Sequence, residues 1–290
     1  MTLFVTGATG FIGSHFLQVS LDAGYSIVAL RRAASCRPRI AIQNEDKCLA
    51  SGQLQWLDKE MTDVTVLELQ DCDTFVHLAA TGVNSQCLDW TSLFEVNVAH
   101  SHALWLQAVK AGIQNYVICG SCFEYGLSGQ RYQFIPAHAL LEPTTPYAAS
   151  KAAATMAAVA LAHEHGLRLT VARPFHVFGE GEAASRFWPA LRQAALSNTD
   201  FPMSLGQQVR DFVPVNHAAA LLLKEASLLS RSSDASDSGP VRLVNVGTGQ
   251  EQTLRQFADY WWHRWGAGSS IIYGAIPYRK HEVMRYVPLM

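Results

Sequence analysis

Tyr147 and Lys151 stand four residues apart in Tyr-Ala-Ala-Ser-Lys. On a helix, positions i and i+4 share one face. An ammonium beside a phenol favours the phenolate and lowers the phenol's pKa. A tyrosine so placed can give or take a proton near neutral pH. The spacing alone also fits an ordinary surface pair at a helix start. Ser121 weighs against that reading. It follows an apolar run, Tyr116 to Cys119, in Cys-Gly-Ser-Cys-Phe-Glu-Tyr-Gly. In open parallel sheets, ligands sit outside the carboxyl ends of the strands. A hydroxyl there can hydrogen-bond a carbonyl oxygen while Tyr147 delivers a proton.

Such groups need elements to position them and a partner for the proton. Residues 2–13 read Thr-Leu-Phe-Val-Thr-Gly-Ala-Thr-Gly-Phe-Ile-Gly, and a helix-like pattern runs from Phe11 to Leu17. A strand, a tight turn and a helix N-terminus form the arrangement that holds a pyrophosphate. Gly7 permits the turn, Gly10 lets the backbone approach the phosphates, and Gly13 lets the helix pack on the strand. Free N–H groups at the helix start face the negative charge. The spacing is G-x-x-G-x-x-G, and its place between strand and helix gives it weight. A dinucleotide beside Tyr147 would join hydride transfer to proton transfer, with Lys151 bonding the ribose. That is carbonyl reduction or its reverse.

Strands are expected at 2–6, 26–31, 54–57, 73–78 and 115–120, then near 168–173 and 242–246. Helices are expected at 11–23, 64–70, 89–111 and 147–165. This alternation predicts a parallel sheet covered on both faces. The strands read as nearly continuous apolar runs, which suits burial on both sides. Residues 33–53 read as a polar surface excursion and 230–240 as a flexible loop. The helix at 147–165 is dense in alanine, which permits close helix approach within the chain or across a dimer.

Composition narrows the class. Of 290 residues, 49% are hydrophobic and 16% charged, as in a compact globule. A net charge of −2 offers no case for nucleic acid or an anionic membrane. No apolar run reaches the ~18 residues of a membrane span. The N-terminus opens directly into strand and turn, so no signal peptide is expected and the cytoplasm is the default compartment. Six scattered cysteines do not form a disulfide framework. Cys119-Gly-Ser-Cys122 ends a strand and does not open a helix that would activate a thiol. His163-Glu164-His165 lacks metal-ligand spacing and reads as a solvated helix end, so no metal is expected.

Taken in order, the motifs resemble the extended short-chain dehydrogenase/reductase family, the nucleotide-sugar epimerases, dehydratases and reductases. The marks are Thr-Gly-Ala-Thr-Gly-Phe-Ile-Gly at 6–13, His-Leu-Ala-Ala at 77–80, Asn97-Val98, and Ser121 before Tyr125-Gly126. Pro146-Tyr147-Ala-Ala-Ser-Lys151, Arg173-Pro174-Phe175, Arg210-Asp-Phe-Val213 and Asn245-Val-Gly-Thr-Gly249 complete them. The resemblance implies an α/β fold: a Rossmann-type doubly wound parallel sheet with a smaller C-terminal substrate lobe. It divides the chain into a dinucleotide domain, 1–174 with 208–222 and 241–262 returning to it, and a lobe of 175–207 and 263–290. It implies Ser121, Tyr147 and Lys151 as the catalytic triad. Gly7, Thr9, Gly10, Phe11, Ile12, Gly13, Asp58, Leu78, Ala79, Ala80, Asn97 and Pro174 would line the cofactor cleft. Thr81, Cys122, Phe123, His176, Arg210 and Arg279 would meet the substrate, with Arg210 on its diphosphate. Apart from the resemblance, the alanine-dense helix leads us to expect a homodimer through 89–111 and 147–165.

An NAD enzyme of this fold ends its second strand with an acid that bonds the ribose. This chain has Arg31-Arg32 there, which suits the 2′-phosphate of NADP, with NAD the alternative. Family 4,6-dehydratases carry an Asp-Glu pair after the catalytic hydroxyl. Cys122-Phe123 cannot act as that acid and base. Two enzyme readings remain: an NADPH-dependent 4-ketoreductase of a nucleotide-linked 4-keto-6-deoxyhexose, or a 4-epimerase holding NAD. A non-catalytic NADP-binding sensor is the third reading, and the complete triad argues against it. His176 stands where relatives have Asn, and Asn216-His217 replace an acidic pair, with Asn216 expected to cap a helix. The chain stops sooner after Arg279 and Glu282 than relatives do, by natural variation or because the chain is incomplete.

Overall fold

In the computed structural model, residues 1–33, 35–83, 89–231, 241–279 and 282–290 are described. Of the loop expected at 230–240, residues 232–240 lie outside them.

The apolar runs become seven parallel strands. These are β1 (Thr2–Thr6), β2 (Ser26–Arg31), β3 (Leu54–Asp58), β4 (Thr74–His77), β5 (Asn115–Cys119), β6 (Arg168–Pro174) and β11 (Val241–Val246). Their order is β11-β6-β5-β4-β1-β2-β3. The chain reverses direction across the sheet between β1 and β4, so a crevice opens at their carboxyl ends. Alternate side chains feed opposite faces. Leu3 and Val5 pack with α1 (Phe11–Asp22) and α8 (Val215–Arg231). Phe4, Phe75 and Tyr116 pack with α4 (Ser101–Lys110) and α6 (Pro146–His165). Both faces are covered, which is why the strands read as unbroken apolar runs.

The excursion at 33–53 contains one short helix, α2 (Glu45–Ala50). The helix expected at 64–70 is instead two single 3-10 turns, Met61–Asp63 and Val66–Glu68. Thr65 and Glu68 cap the second reciprocally, and the segment is too short to nucleate an α-helix. The helix expected at 89–111 runs as α3 (Trp90–Phe94), a π-helical stretch Glu95–His100, and α4. A helical turn, α5 (Gly126–Gly129), precedes α6.

A third core lies beyond the sheet. Leu191 and Ala195 of α7 (Phe187–Leu196) meet Ala258 and Trp262 of α9 (Leu254–Arg264) over Met203. β8 (Phe201–Met203) and β13 (Ile271–Tyr273) pair beside them. Helix α9 thus packs on α7, and its Phe257 stacks on Phe212 of the 208–222 segment with centroids 4.0 Å apart. The aromatic run at 260–265 divides by face. Trp262 is buried and bonds Ser269 O, Trp261 meets Phe178 and Trp188, and Tyr260 is exposed. Two small ladders join lobe and sheet: β7 (His176–Phe178) with β10 (Phe212–Pro214), and β9 (Val209–Arg210) between β12 (Gln252–Thr253) and β14 (Arg285–Tyr286). No helix among the described residues is long and apolar enough to cross a membrane.

Candidate active site

The turn after β1 is shaped by missing side chains. Gly7 has φ +71°, and a Cβ on it would lie 2.6 Å from Leu78 C and Ala79 N at the exit of β4. A Cβ on Gly13 would lie 1.9 Å from Gly7 O. Helix α1 therefore starts directly against the turn. Its N-cap, Gly10, makes no side-chain cap bond, and its first turn carries no acid. The N–H groups of Phe11, Ile12 and Gly13 are left without intrahelical partners, as at any helix start. A cradle that a Cβ would fill, ending in free donors, fits a dinucleotide pyrophosphate.

The wall opposite is set by buried polar side chains. His77 Nδ1 pairs with Thr6 Oγ1 at 2.9 Å and Nε2 with Ser101 Oγ at 3.1 Å. Burial, with the Lys151 ammonium second, pushes its pKa down to about 3, so the ring is neutral. Asn97, in the π-helical stretch, accepts from Thr81 N at 2.8 Å. It donates to Thr81 O and to Ser150 Oγ, and Ser150 Oγ donates to Tyr147 O at 2.8 Å. A π-bulge at such a point is a common device for aiming one side chain out of register. Here it ties the cleft wall to the helix that carries Tyr147.

That helix begins sharply. Thr145 caps it, accepting from Ala148 N at 3.2 Å, and Pro146 occupies the first turn. Tyr147 and Lys151 follow one turn apart. Lys151 is buried and its Nζ donates to Cys119 O at 2.7 Å, at the end of β5. Ser121 is also buried beside the Tyr147 phenol, and its Oγ accepts from Phe123 N at 3.3 Å. Burial pushes that phenol above its ordinary value, with Cys119 adding to the rise and Ser121 opposing it. The expectation of a phenol lowered by Lys151 is thus corrected: the ammonium is bound to a backbone carbonyl, and burial dominates at the ring.

Beyond Ser121 lies a narrow cavity lined by Phe123, Thr145, Ala148, His176, Arg210 and Tyr286. Phe123 and His176 meet edge to face, with centroids 6.1 Å apart. Burial, then Arg210 and Arg186, push His176 down to about 3. It is a neutral ring, and its Nδ1 lacks a partner. Arg210 Nη2 donates to Glu282 Oε1 at 3.2 Å and to Val283 O.

Residues 3–234 match the model of the NAD dependent epimerase/dehydratase family. The chain belongs to that family. It is similar to the CDP-abequose synthase of Salmonella muenchen, 24% identical over 97% of this chain and 87% of that one. It is 29% identical to the GDP-6-deoxy-D-mannose reductase of Pseudomonas aeruginosa, over 89% of this chain and 78% of the relative. The solved structure of MoeE5 in complex with UDP-glucose and NAD is 26% identical. It superposes with a TM-score of 0.78 over 98% of this chain and 88% of that one.

Against this family background, several expected roles shift. Arg31 does not stand free for a phosphate. Its Nε donates to Asp58 Oδ1 at 2.5 Å, and its guanidinium lies 4.7 Å over the Trp56 ring. The Arg31 bond holds the Asp58 carboxyl below its usual range. Parallel pairing of β2 with β3 sets Arg31 opposite Asp58, a neighbour 27 residues away that the local motif does not show. Arg32 is exposed and makes no ion pair among the described residues. Arg279 is likewise exposed, and Glu282 pairs with Arg210. Asn216 bonds His15 Nδ1 at 2.7 Å, tying α8 to α1. Cys122 is buried and burial pushes its thiol up to about 12.

Sequence reasoning missed Ser150, Thr155 and the role of Glu124. A capping-box signature, Ser121-x-x-Glu124, was visible, and the structure forms that box.

Proposed function

We propose that this protein reduces the 4-keto group of a nucleotide-linked 4-keto-6-deoxyhexose with NADPH. The observation that carries the reading is that the three positions directly after Ser121 carry no free acid or base. Cys122 is an un-ionised thiol and Phe123 a hydrocarbon. Glu124, one position on, is fully buried and spends its oxygens on Ser121 N, Thr155 Oγ1 and Arg173 Nε. Elimination of water needs a general acid and a base at the sugar, and these side chains supply neither. Ketone reduction needs one proton donor. A phenol held protonated by burial serves that direction, whereas oxidation needs the phenolate first. The likeness to a GDP-6-deoxy-D-mannose reductase supports the same choice.

When bound, the reduced nicotinamide supplies the hydride. In this scheme Tyr147 gives its proton to the C4 oxygen, and Ser121 donates a hydrogen bond to that oxygen. Lys151 moves from Cys119 O to hold the ribose and the phenol. The backbone donors at Phe11 to Gly13 hold the pyrophosphate, and Arg210 holds the substrate's diphosphate. Turnover of NADPH against a panel of nucleotide 4-keto-6-deoxyhexoses tests the reading. Oxidation with at least one member is expected; interconversion of C4 epimers without added cofactor would establish the epimerase instead.

Cofactor choice rests on Arg32, because the Arg31–Asp58 pair is close to neutral. A charge-assisted contact to a 2′-phosphate contributes ~1.5–3 kcal/mol. Arg32→Ala should therefore raise the KM for NADPH at least ~10-fold and leave that for NADH unchanged. A wild-type preference for NADH overturns the NADP assignment. We also propose a homodimer through 89–111 and 147–165, where Trp90 and Met156 are 56% and 59% exposed. A monomeric mass in solution would refute it.

A further inference from the structure

Glu124 lies inside the protein, fully buried, and its two oxygens meet three different elements. Oε1 accepts from Ser121 N at 2.7 Å, at the end of β5. Oε2 accepts from Thr155 Oγ1 at 2.9 Å and from Arg173 Nε at 2.8 Å. Thr155 lies on α6, one turn beyond Lys151 and two beyond Tyr147. Arg173 lies on β6, 1% exposed, and its Nη1 continues to Tyr125 Oη and Ala137 O. Tyr125 Oη in turn donates to Asn245 Oδ1 at 2.6 Å. The strand end is shaped around this carboxylate. A Cβ on Gly120 would fall 2.5 Å from Glu124 Oε1 and 3.1 Å from Arg173 Cγ.

A buried ion pair is weak evidence of net stability, because desolvation offsets the attraction. What this one does is geometric. One rigid group references the Ser121 backbone to the helix bearing Tyr147 and Lys151. Among the described residues, the end of β5 also meets that helix where Lys151 Nζ donates to Cys119 O and where the Tyr147 phenol lies beside Ser121. Both of those use groups that must move during turnover. We propose that Glu124 is a positioning residue that fixes Ser121 relative to Tyr147 through Thr155 and Arg173, leaving the reacting side chains free to exchange partners. This role rests on Ser121 and Tyr147 being the proton-transfer pair of the proposed reaction.

The test uses the full chain. Glu124→Gln keeps an acceptor for Ser121 N but sets a donor or a neutral oxygen against Arg173. Thr155→Val removes one arm without leaving a charge, and Thr155→Ser keeps the hydroxyl. Amide hydrogen exchange is read first because it needs no substrate. Faster exchange over 119–125, with 7–13 unchanged, is expected in Glu124→Gln and Thr155→Val. A misplacement near 1 Å can lower a rate ~100-fold. We accordingly expect kcat to fall about 10–100-fold in Glu124→Gln and about 3–10-fold in Thr155→Val. The KM for cofactor should hold within about 2-fold and Thr155→Ser should restore kcat. The Glu124 carboxylate also raises the Tyr147 phenol. Replacing it should move the alkaline limb of kcat slightly to lower pH in Glu124→Gln and leave it in place in Thr155→Val, which keeps the carboxylate. Should Glu124→Gln not fold, Thr155→Val decides. Unchanged exchange over 119–125, or a lost Tm with kcat and alkaline limb unmoved, overturns the proposal. If the wild type reduces none of the sugars, the reductase reading falls while the exchange result still decides the clamp.

Discussion

The two sides of the crevice are built by opposite means. On the cofactor side, the turn at Gly7 to Gly13 works through absent side chains: backbone touches backbone, and the donors are main-chain N–H groups. On the proton-transfer side, the long-range ties run through side chains. Asn97 reaches Thr81 and Ser150, Lys151 reaches Cys119, and Glu124 reaches Ser121, Thr155 and Arg173. The first construction fixes a surface for a ligand of constant shape. The second fixes a few atoms relative to one another, and those positions decide the chemistry. Changes on one side should therefore alter binding, and changes on the other should alter rate.

The sharpest separation is expected from Tyr147→Phe. Loss of the proton donor should lower kcat ~10²–10⁴-fold and leave cofactor affinity within about 2-fold. Steady-state kinetics with calorimetric titration of NADPH reads both. A matching loss of affinity would merge the two sides.

Gly13→Ala should do the reverse. The new Cβ meets Gly7 O at 1.9 Å, with backbone on both sides. Overpacking without room to relax costs ~3 kcal/mol, or ~100-fold in cofactor Kd. Gly10→Ala, where the nearest atom is 3.0 Å away, is the milder control. Equal affinities for wild type and Gly13→Ala would show that close packing is not what shapes the turn.

A smaller effect separates a satisfied buried carboxylate from an unsatisfied one. Glu182 has its Oε1 3.5 Å from Arg186 Nε, but its Oε2 is buried without a partner. Burial, opposed by Arg186, pushes its carboxyl up from 4.5 to about 7. The folded state then binds the proton more tightly than the unfolded chain. Stability is lost as pH rises from the unfolded value through about 7 and is flat above that. Glu182→Gln should raise Tm by ~2–6 °C near pH 8 and match wild type near ~pH 5. Thermal melts across that range check it. A difference independent of pH would place the effect elsewhere.

This contrast also explains what could be read before the structure. Glycine spacing is local, so the cradle at 7–13 was legible from twelve consecutive residues. The sheet was legible because each strand is an apolar run followed by a helix. The network was not. Glu124 pairs with Arg173 across 49 residues, and Tyr125 with Asn245 across 120. No local pattern announces such partners. The Arg31–Asp58 bond was hidden for the same reason: Asp58 becomes a neighbour only when β3 pairs with β2. The phenol's pKa was misread because spacing reports the nearest charge and says nothing of burial.

The reductive step itself is tested most directly by label transfer. NADPH carrying deuterium on its transferable position is incubated with the active 4-keto sugar nucleotide, and the product is examined at C4. One deuterium per turnover at C4, absent with Tyr147→Phe, is the expected result. A product free of label, or C4 inversion without consumption of added cofactor, would contradict the account.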